Sequence, residues 1–216
     1  MATEIDWSSL GGQMGSGSSG GSDQKKFLRF ESGKTHVFRP VGGAVEFYKF
    51  FVTTDKGKRS INVNPGNEAK AAEMLSKYFG KEIVPQHRFA INVIDRQDGQ
   101  IKILEGGLSI FKFFAQWCKL NGQAPGGQSG GDWSVNVEGE NLQRRYTTGF
   151  LRSAPLSAEE VKKIKDMKGL YSLSEVYKET PLDQVISKAT GEVQQESSNN
   201  EVAADESILS DDPMKW

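Results

Sequence analysis

The chain has 216 residues, with 24 glycines, 36% hydrophobic residues and 27 Lys+Arg against 28 Asp+Glu. That length allows one sizeable domain plus tails, and no apolar run approaches the roughly 18 residues that span a bilayer. A single cysteine, Cys118, with His36 and His87 as the only histidines, excludes an intrachain disulfide and a cysteine-based zinc cluster and points to a reducing compartment.

The balanced total hides an asymmetry. Residues 192–216 carry seven acids against Lys215, and residues 1–22 add Glu4 and Asp6. The body between them, residues 23–191, keeps 26 Lys+Arg against 19 Asp+Glu. A basic body with an acidic tail suits a polyanionic partner and a regulated surface.

In chain order, residues 1–22 read as a flexible N-terminal segment. Gly15, Gly17 and Gly20 fit a GxGxxG spacing, but a dinucleotide fingerprint needs a strand before it and a helix after it, and both are missing from the pattern. Phe27–Phe30 and Lys34–Arg39 read as short strands split by Ser32-Gly33, followed by a longer strand over Ala44–Thr53 and another over Arg59–Val63. Asn67 is placed to cap a helix running to about Phe79. Arg88–Asp95 and Gln100–Glu105 alternate as a hairpin around Gly99. Leu108–Leu120 is apolar on nearly every side, which predicts a mostly buried helix. A glycine-rich loop covers 121–132, and Trp133–Val137 with Gln143–Phe150 forms a last hairpin. Ser157 and Glu160 make a capping box opening a helix to about Lys168. Thr180-Pro181 opens another. Beyond Gly191 the composition is that of a disordered acidic tail.

The organisation expected is therefore a flexible segment (1–22), a strand-rich core (23–155), a helical extension (156–191) and a tail (192–216). The fold class is mostly β with helical additions, α+β, as an OB-like small barrel.

Catalysis finds no support in the motifs: there is no Walker loop, no HExxH and no Ser/His/Asp ordering. Cys118 sits in the most apolar helix, where an inert thiol is the ordinary outcome. No enzyme activity, cofactor, metal or membrane association is expected. What does recur is basic and aromatic residues interleaved on strands, the requirement for holding a flexible polyanion whose bases stack on rings. In Ala44–Thr53, Phe47, Lys49 and Phe51 share one face, and Tyr48, Phe50 and Val52 the other. A lysine between two phenylalanines is costly to bury. The first face is thus assigned to the groove and the second to the core. The groove set is Lys34, Arg39, Phe47, Lys49, Phe51, Lys58, Arg59, Arg88, Lys102, Arg144 and Tyr146.

Three ordered blocks carry a resemblance. Lys26–Phe30 with Arg39-Pro40 and Val45–Val52, then Arg88–Arg96 with Ile101–Glu105 and Gly107–Lys112, then Asp132–Val137 with Arg144–Thr148, are similar to phage single-stranded DNA-binding proteins of the helix-destabilising class over roughly residues 24–155. The resemblance implies an OB fold, sequence-tolerant binding of single-stranded DNA in replication, recombination and repair, and residence in the host cytoplasm. It also implies an acidic tail that recruits replication proteins, here through Asp205, Glu206, Asp211, Asp212 and Trp216. The zinc site of some members is not carried over, because its Cys/His ligands are missing. Self-association stays open. The alternative is a protein-interaction adaptor or an RNA-binding module on the same fold, since a fold does not fix a function.

Overall fold

The computed structural model of the chain describes residues 26–122, 125–126, 130–140, 143–166 and 170–192. The expected N-terminal segment and most of the acidic tail, including Asp205, Glu206, Asp211, Asp212 and Trp216, lie outside the described residues.

A single long strand organises the rest. The two strands expected on either side of Val41 are one, β1 (Thr35–Thr54), whose register against its neighbour shifts between Val41 and Ala44. Gly42 makes that bulge feasible. Its φ is 71°, and a Cβ there would stand 2.7 Å from Leu170 Cδ1, so glycine meets both the backbone and the packing requirement. β2 (Gly57–Val63) returns as a tight hairpin on the second half of β1. After helix α1 (Glu68–Phe79), β3 (Gln86–Asp95) pairs along the opposite edge of β1, and β4 (Ile101–Gly106) pairs with β3. Helix α2 (Leu108–Asn121) leads to the hairpin of β5 (Gly131–Glu138) and β6 (Arg145–Ser153), which docks on the first half of β1. The sheet is wholly antiparallel, with the path β4-β3-β1-β5-β6 and β2 attached to β1.

This is a mostly-sheet α+β fold, but the expected barrel is not closed. No ladder joins β4 to β6 among the described residues. The segment predicted as a first strand enters the opening instead. Phe27 makes an isolated parallel bridge to Ile103, the Leu28 N–H donates to the Ile103 carbonyl at 2.9 Å, and the Phe30 ring lies 6.0 Å from that of Tyr146 on β6.

The sheet's inner face, with Phe38, Ile91, Val93, Leu104, Trp133, Val135 and Val137, packs against Ile110, Phe111 and Phe114 of α2. Each fully buried side chain of this size contributes about 1.5–3 kcal/mol. The expectation that α2 is mostly buried needs correction: Leu108 and Leu120 are exposed, and Trp117 and Cys118 only half-buried. Only Ile110, Phe111 and Phe114 of the helix are buried against the sheet's inner face, and its remaining sides are left open.

The extension after β6 wraps the molecule. Helix α3 (Ala158–Asp166) starts at the expected capping box: the Ser157 N–H donates to Glu160 at 2.8 Å, and the Glu160 N–H to the Ser157 hydroxyl at 3.2 Å. Asn67 does not cap α1 through its side chain. Its amide donates to Glu179 at 2.9 Å, tying α1 to the extension. Helix α4 (Leu173–Val176) crosses the outer face of the sheet, where Leu173 and Tyr177 pack on Phe47, Ala90 and Ile103. The chain then passes the edge of β2, where the Thr180 N–H donates to the Asn62 carbonyl at 2.8 Å. A 3-10 turn (Leu182–Gln184) leads into α5 (Val185–Thr190), which joins α1 over Phe50, Val52, Ile61 and Val63.

Candidate nucleic-acid interface

Alternation on β1 does separate Phe47, Lys49 and Phe51 from Phe50 and Val52, and the latter pair is core as expected. Tyr48, assigned to the core with them, is only half-buried and stacks on His87 at the sheet surface, with centroids 4.7 Å apart. The exposure of the first face is not as expected either. Phe47 is 2% and Lys49 5% exposed, and of the three only Phe51, at 36%, reaches solvent. The cost of burying the lysine is offset by a carboxylate the sequence reading overlooked. Lys49 Nζ lies 2.7 and 2.8 Å from the two oxygens of Glu105, which is itself buried on β4. The Tyr177 ring then stacks on Phe47, with centroids 4.3 Å apart and planes at 28°.

The charges in this layer sustain one another. Burial pushes the Glu105 carboxyl up, but the positive charges of Lys49 and Arg88 outweigh it, and the net shift is below the ordinary glutamate value. The Tyr177 phenol is pushed well up by burial and by the neighbouring Glu105 charge. Glu105 follows Ile101 and Ile103 at every second position of β4. A lone acid on a strand's apolar face was the available signal for a buried partner.

The other proposed groove residues divide by environment. Arg39 is fully buried, donates through Nη1 to the Ala154 carbonyl, and is lowered to about 10 by burial, with Asp132 opposing. Arg88 is buried, with Nη2 2.7 Å from Gln86 Oε1. Arg144 is buried just before β6, and Tyr146 is half-buried. Lys102 is held by Asp95 at 2.6 Å and Asp98 at 2.7 Å. Lys34 is exposed beside Glu31, far along β1 from the hairpin. Five of the eleven residues are thus internal as the chain is folded, and they offer no surface to a strand.

Of the groove set, Phe51 and Lys58 do come together, on the outer face of the β1–β2 hairpin, and Arg59 does not join them. Phe51 pairs across with Ser60, and Thr53 with Lys58, so these four share the outer face. Arg59 lies on the other face, its guanidinium against Gly191 at the end of α5. Lys49 Nζ stands 5.9 Å from the Phe51 ring centroid, beneath its inner end. Lys56 and Lys58 at the hairpin tip are exposed. The result is an open ring flanked by free ammonium groups, able to stack a planar group and attract anions.

Among the described residues, no group of three or more His, Cys, Asp or Glu side chains could hold a metal ion. No helix there is long and apolar enough to cross a membrane. His36 is buried, accepts the Glu31 N–H at 2.9 Å, and is lowered by burial. The half-buried Cys118 thiol is pushed up by burial, the opposite of what a nucleophile needs. Compared with known proteins, the chain matches no family model, and no curated sequence matches it.

Proposed function

We propose that the chain is a non-enzymatic, sequence-tolerant single-stranded DNA-binding protein that engages the strand on the outer face of the β1–β2 hairpin. The observation that carries this reading is the half-open Phe51 ring with Lys58 on the same outer face and Lys56 exposed beside it at the hairpin tip. A stacking surface beside exposed lysines suits a polymer whose bases are unpaired and whose backbone is charged. The connectivity supports an OB-like reading as well. β1, β3 and β4 are antiparallel neighbours, a helix follows, and a hairpin returns to the first half of β1, although the barrel is open. The acidic tail, with its terminal Trp216, serves in this reading to recruit replication proteins: its carboxylates attract a basic partner and the indole fills a pocket.

Fluorescence titration with oligonucleotides tests it. Affinity should fall with salt as condensed counterions are displaced, with little base preference and much weaker duplex binding. Phe51→Ala should cost about 1–3 kcal/mol of binding with the fold retained. Lys58→Ala should reduce the salt slope by about 0.7. Tight, salt-insensitive binding to one defined sequence would overturn the reading. Parallel titration with RNA of the same sequence separates the RNA-binding alternative, and no shift with either polymer would favour the adaptor.

A further inference from the structure

The long strand β1 has a bare stretch on one edge. β3 pairs along the opposite edge as far as Lys49. On the edge that β3 does not use, β5 pairs over Thr35–Phe38 and β2 over Tyr48–Thr54. Among the described residues no strand takes that edge between them. At the β5 end the backbone of Gly126 closes on Pro40, where a Cβ would stand 2.1 Å from the Pro40 carbonyl oxygen. The direction of the free groups follows from the β1–β2 hairpin. Its two-residue turn, Asp55-Lys56, closes on the pair Thr54 and Gly57, and the residues flanking such a turn exchange both backbone hydrogen bonds. Counted back in twos, Val52, Phe50 and Tyr48 aim their N–H and C=O groups at β2. Glu46 and Ala44 aim theirs the same way, past the end of β2. Both residues are exposed, and among the described residues no hydrogen bond reaches their backbone on this side. An edge in this state is a template for one more strand.

Two open clefts lie against this stretch. One of about 300 Å³ is lined by Gly43, Ala44 and Tyr171, and one of about 340 Å³ by Glu46, Phe47 and Lys178. Val45, Leu173 and Ser174 line both, so the clefts are neighbours along the strand, one on each side of Val45. The carboxylates around them are already engaged. Glu46 is held by His87 at 2.6 Å, and Glu179 by the amides of Asn64 and Asn67 at 2.8 and 2.9 Å. Lysines stand at both ends: Lys178 in the larger cleft, and Lys26, whose Nζ is 5.2 Å from the centroid of the Tyr171 ring, beside the smaller.

We propose that residues 4–8 of this same chain add as a short strand to the edge at Ala44 and Glu46, with Ile5 and Trp7 in the two clefts. Glu4-Ile5-Asp6-Trp7-Ser8 alternates as a half-buried strand does. Residues two apart on a strand share a face at a spacing of about 6.4–6.8 Å, which puts one apolar side chain on each side of Val45. The point where the described chain begins favours this occupant. Lys26 lies beside Tyr171, a wall of the smaller cleft, and residues 9–25 span at most about 55 Å, ample for the return. Such a tether makes the encounter intramolecular, at an effective concentration on the order of 1 mM. Glu4 and Asp6 suit a groove with a lysine at each end. The added strand fills the gap between β5 and β2 and closes an edge that would otherwise be open to other chains. None of this depends on the single-strand reading above.

The test is amide hydrogen exchange, read by NMR, on the full chain and on its Ile5→Ser/Trp7→Ser variant. In the unaltered chain the N–H groups of Ala44 and Glu46 should exchange roughly tenfold more slowly than in the variant, the factor that one or two ordinary net hydrogen bonds give. Ile91 and Val93, inside β3, should exchange equally in both and so report that the fold is retained. The protection of Ala44 and Glu46 should be the same at every protein concentration. Equal exchange of these two amides in the two chains overturns the proposal. Protection that fades on dilution overturns it as well, and assigns the segment to the edge of a second copy.

Discussion

Lys49 and Glu105 show how one pair can decide a face. Removing the lysine alone leaves a buried carboxylate without its nearest counter-charge, and such a loss costs about 3–5 kcal/mol. Lys49→Met should lower the urea midpoint accordingly, and Lys49→Met/Glu105→Leu should recover most of it, since apolar replacement of both partners is often nearly neutral. The same pair sets an acid limit. The Glu105 carboxyl is depressed in the fold relative to its ordinary value of 4.5, so its contribution is complete above that pH. It is lost as pH falls through the lower folded value. His36, lowered by burial, acts in the same direction from higher pH, because the unfolded chain takes up that proton first. Urea unfolding between pH 3 and 7 (a span of ordinary carboxylate and histidine titration, roughly) should show stability rising with pH, with the acidic part of the rise flattened in Glu105→Gln. An unchanged profile in that variant would mean the pair carries no pH-dependent stability.

At the scale of elements, periodicity located most strands and helices, and the chemistry of single positions decided the remainder. The β3–β4 hairpin, the capping box of α3 and the core face of β1 were legible because each rests on local alternation or local hydrogen bonding. The fusion of two expected strands into β1 was not, since it depends on pairing with β3 and β5 from distant parts of the chain. Nor was the covering of Phe47, which depends on Tyr177; alternation says which residues share a face and is silent on what lies over it. Helix α2 is less buried than its composition predicts for a related reason: one face meets the sheet, and the apolar residues on the other sides have nothing over them. Its two ends should therefore respond differently to substitution. Phe114, packed edge-on against Phe38 and Trp133, should cost about 3–5 kcal/mol on truncation to Ala. Leu120→Ser, at a position 83% exposed, should stay within about 0.5 kcal/mol. Chemical denaturation of the two variants measures the contrast, and equal losses would place the helix differently from the arrangement described.

Across the whole molecule, charge is divided by position in the chain: a body rich in lysine and arginine is followed by a segment with seven acids and one lysine. Attraction between the two is long-ranged only when salt is dilute. Truncation after Gly191 should therefore tighten single-strand binding severalfold at low salt and have little effect at high salt. Equal affinity of the full and truncated chains at every salt concentration would exclude competition between tail and strand. The order of residues along the chain has a further consequence, for synthesis. Glu105 meets Lys49 as soon as β4 pairs with β3, but Leu173 and Tyr177, which roof that pair, are made about 70 residues later. At typical elongation rates the interval lasts about 4–14 s. During that time the nascent chain displays Phe47, Ala90 and Ile103 to the surrounding medium as an unroofed apolar surface, a natural point of contact for chaperones that disappears once the last segment folds down.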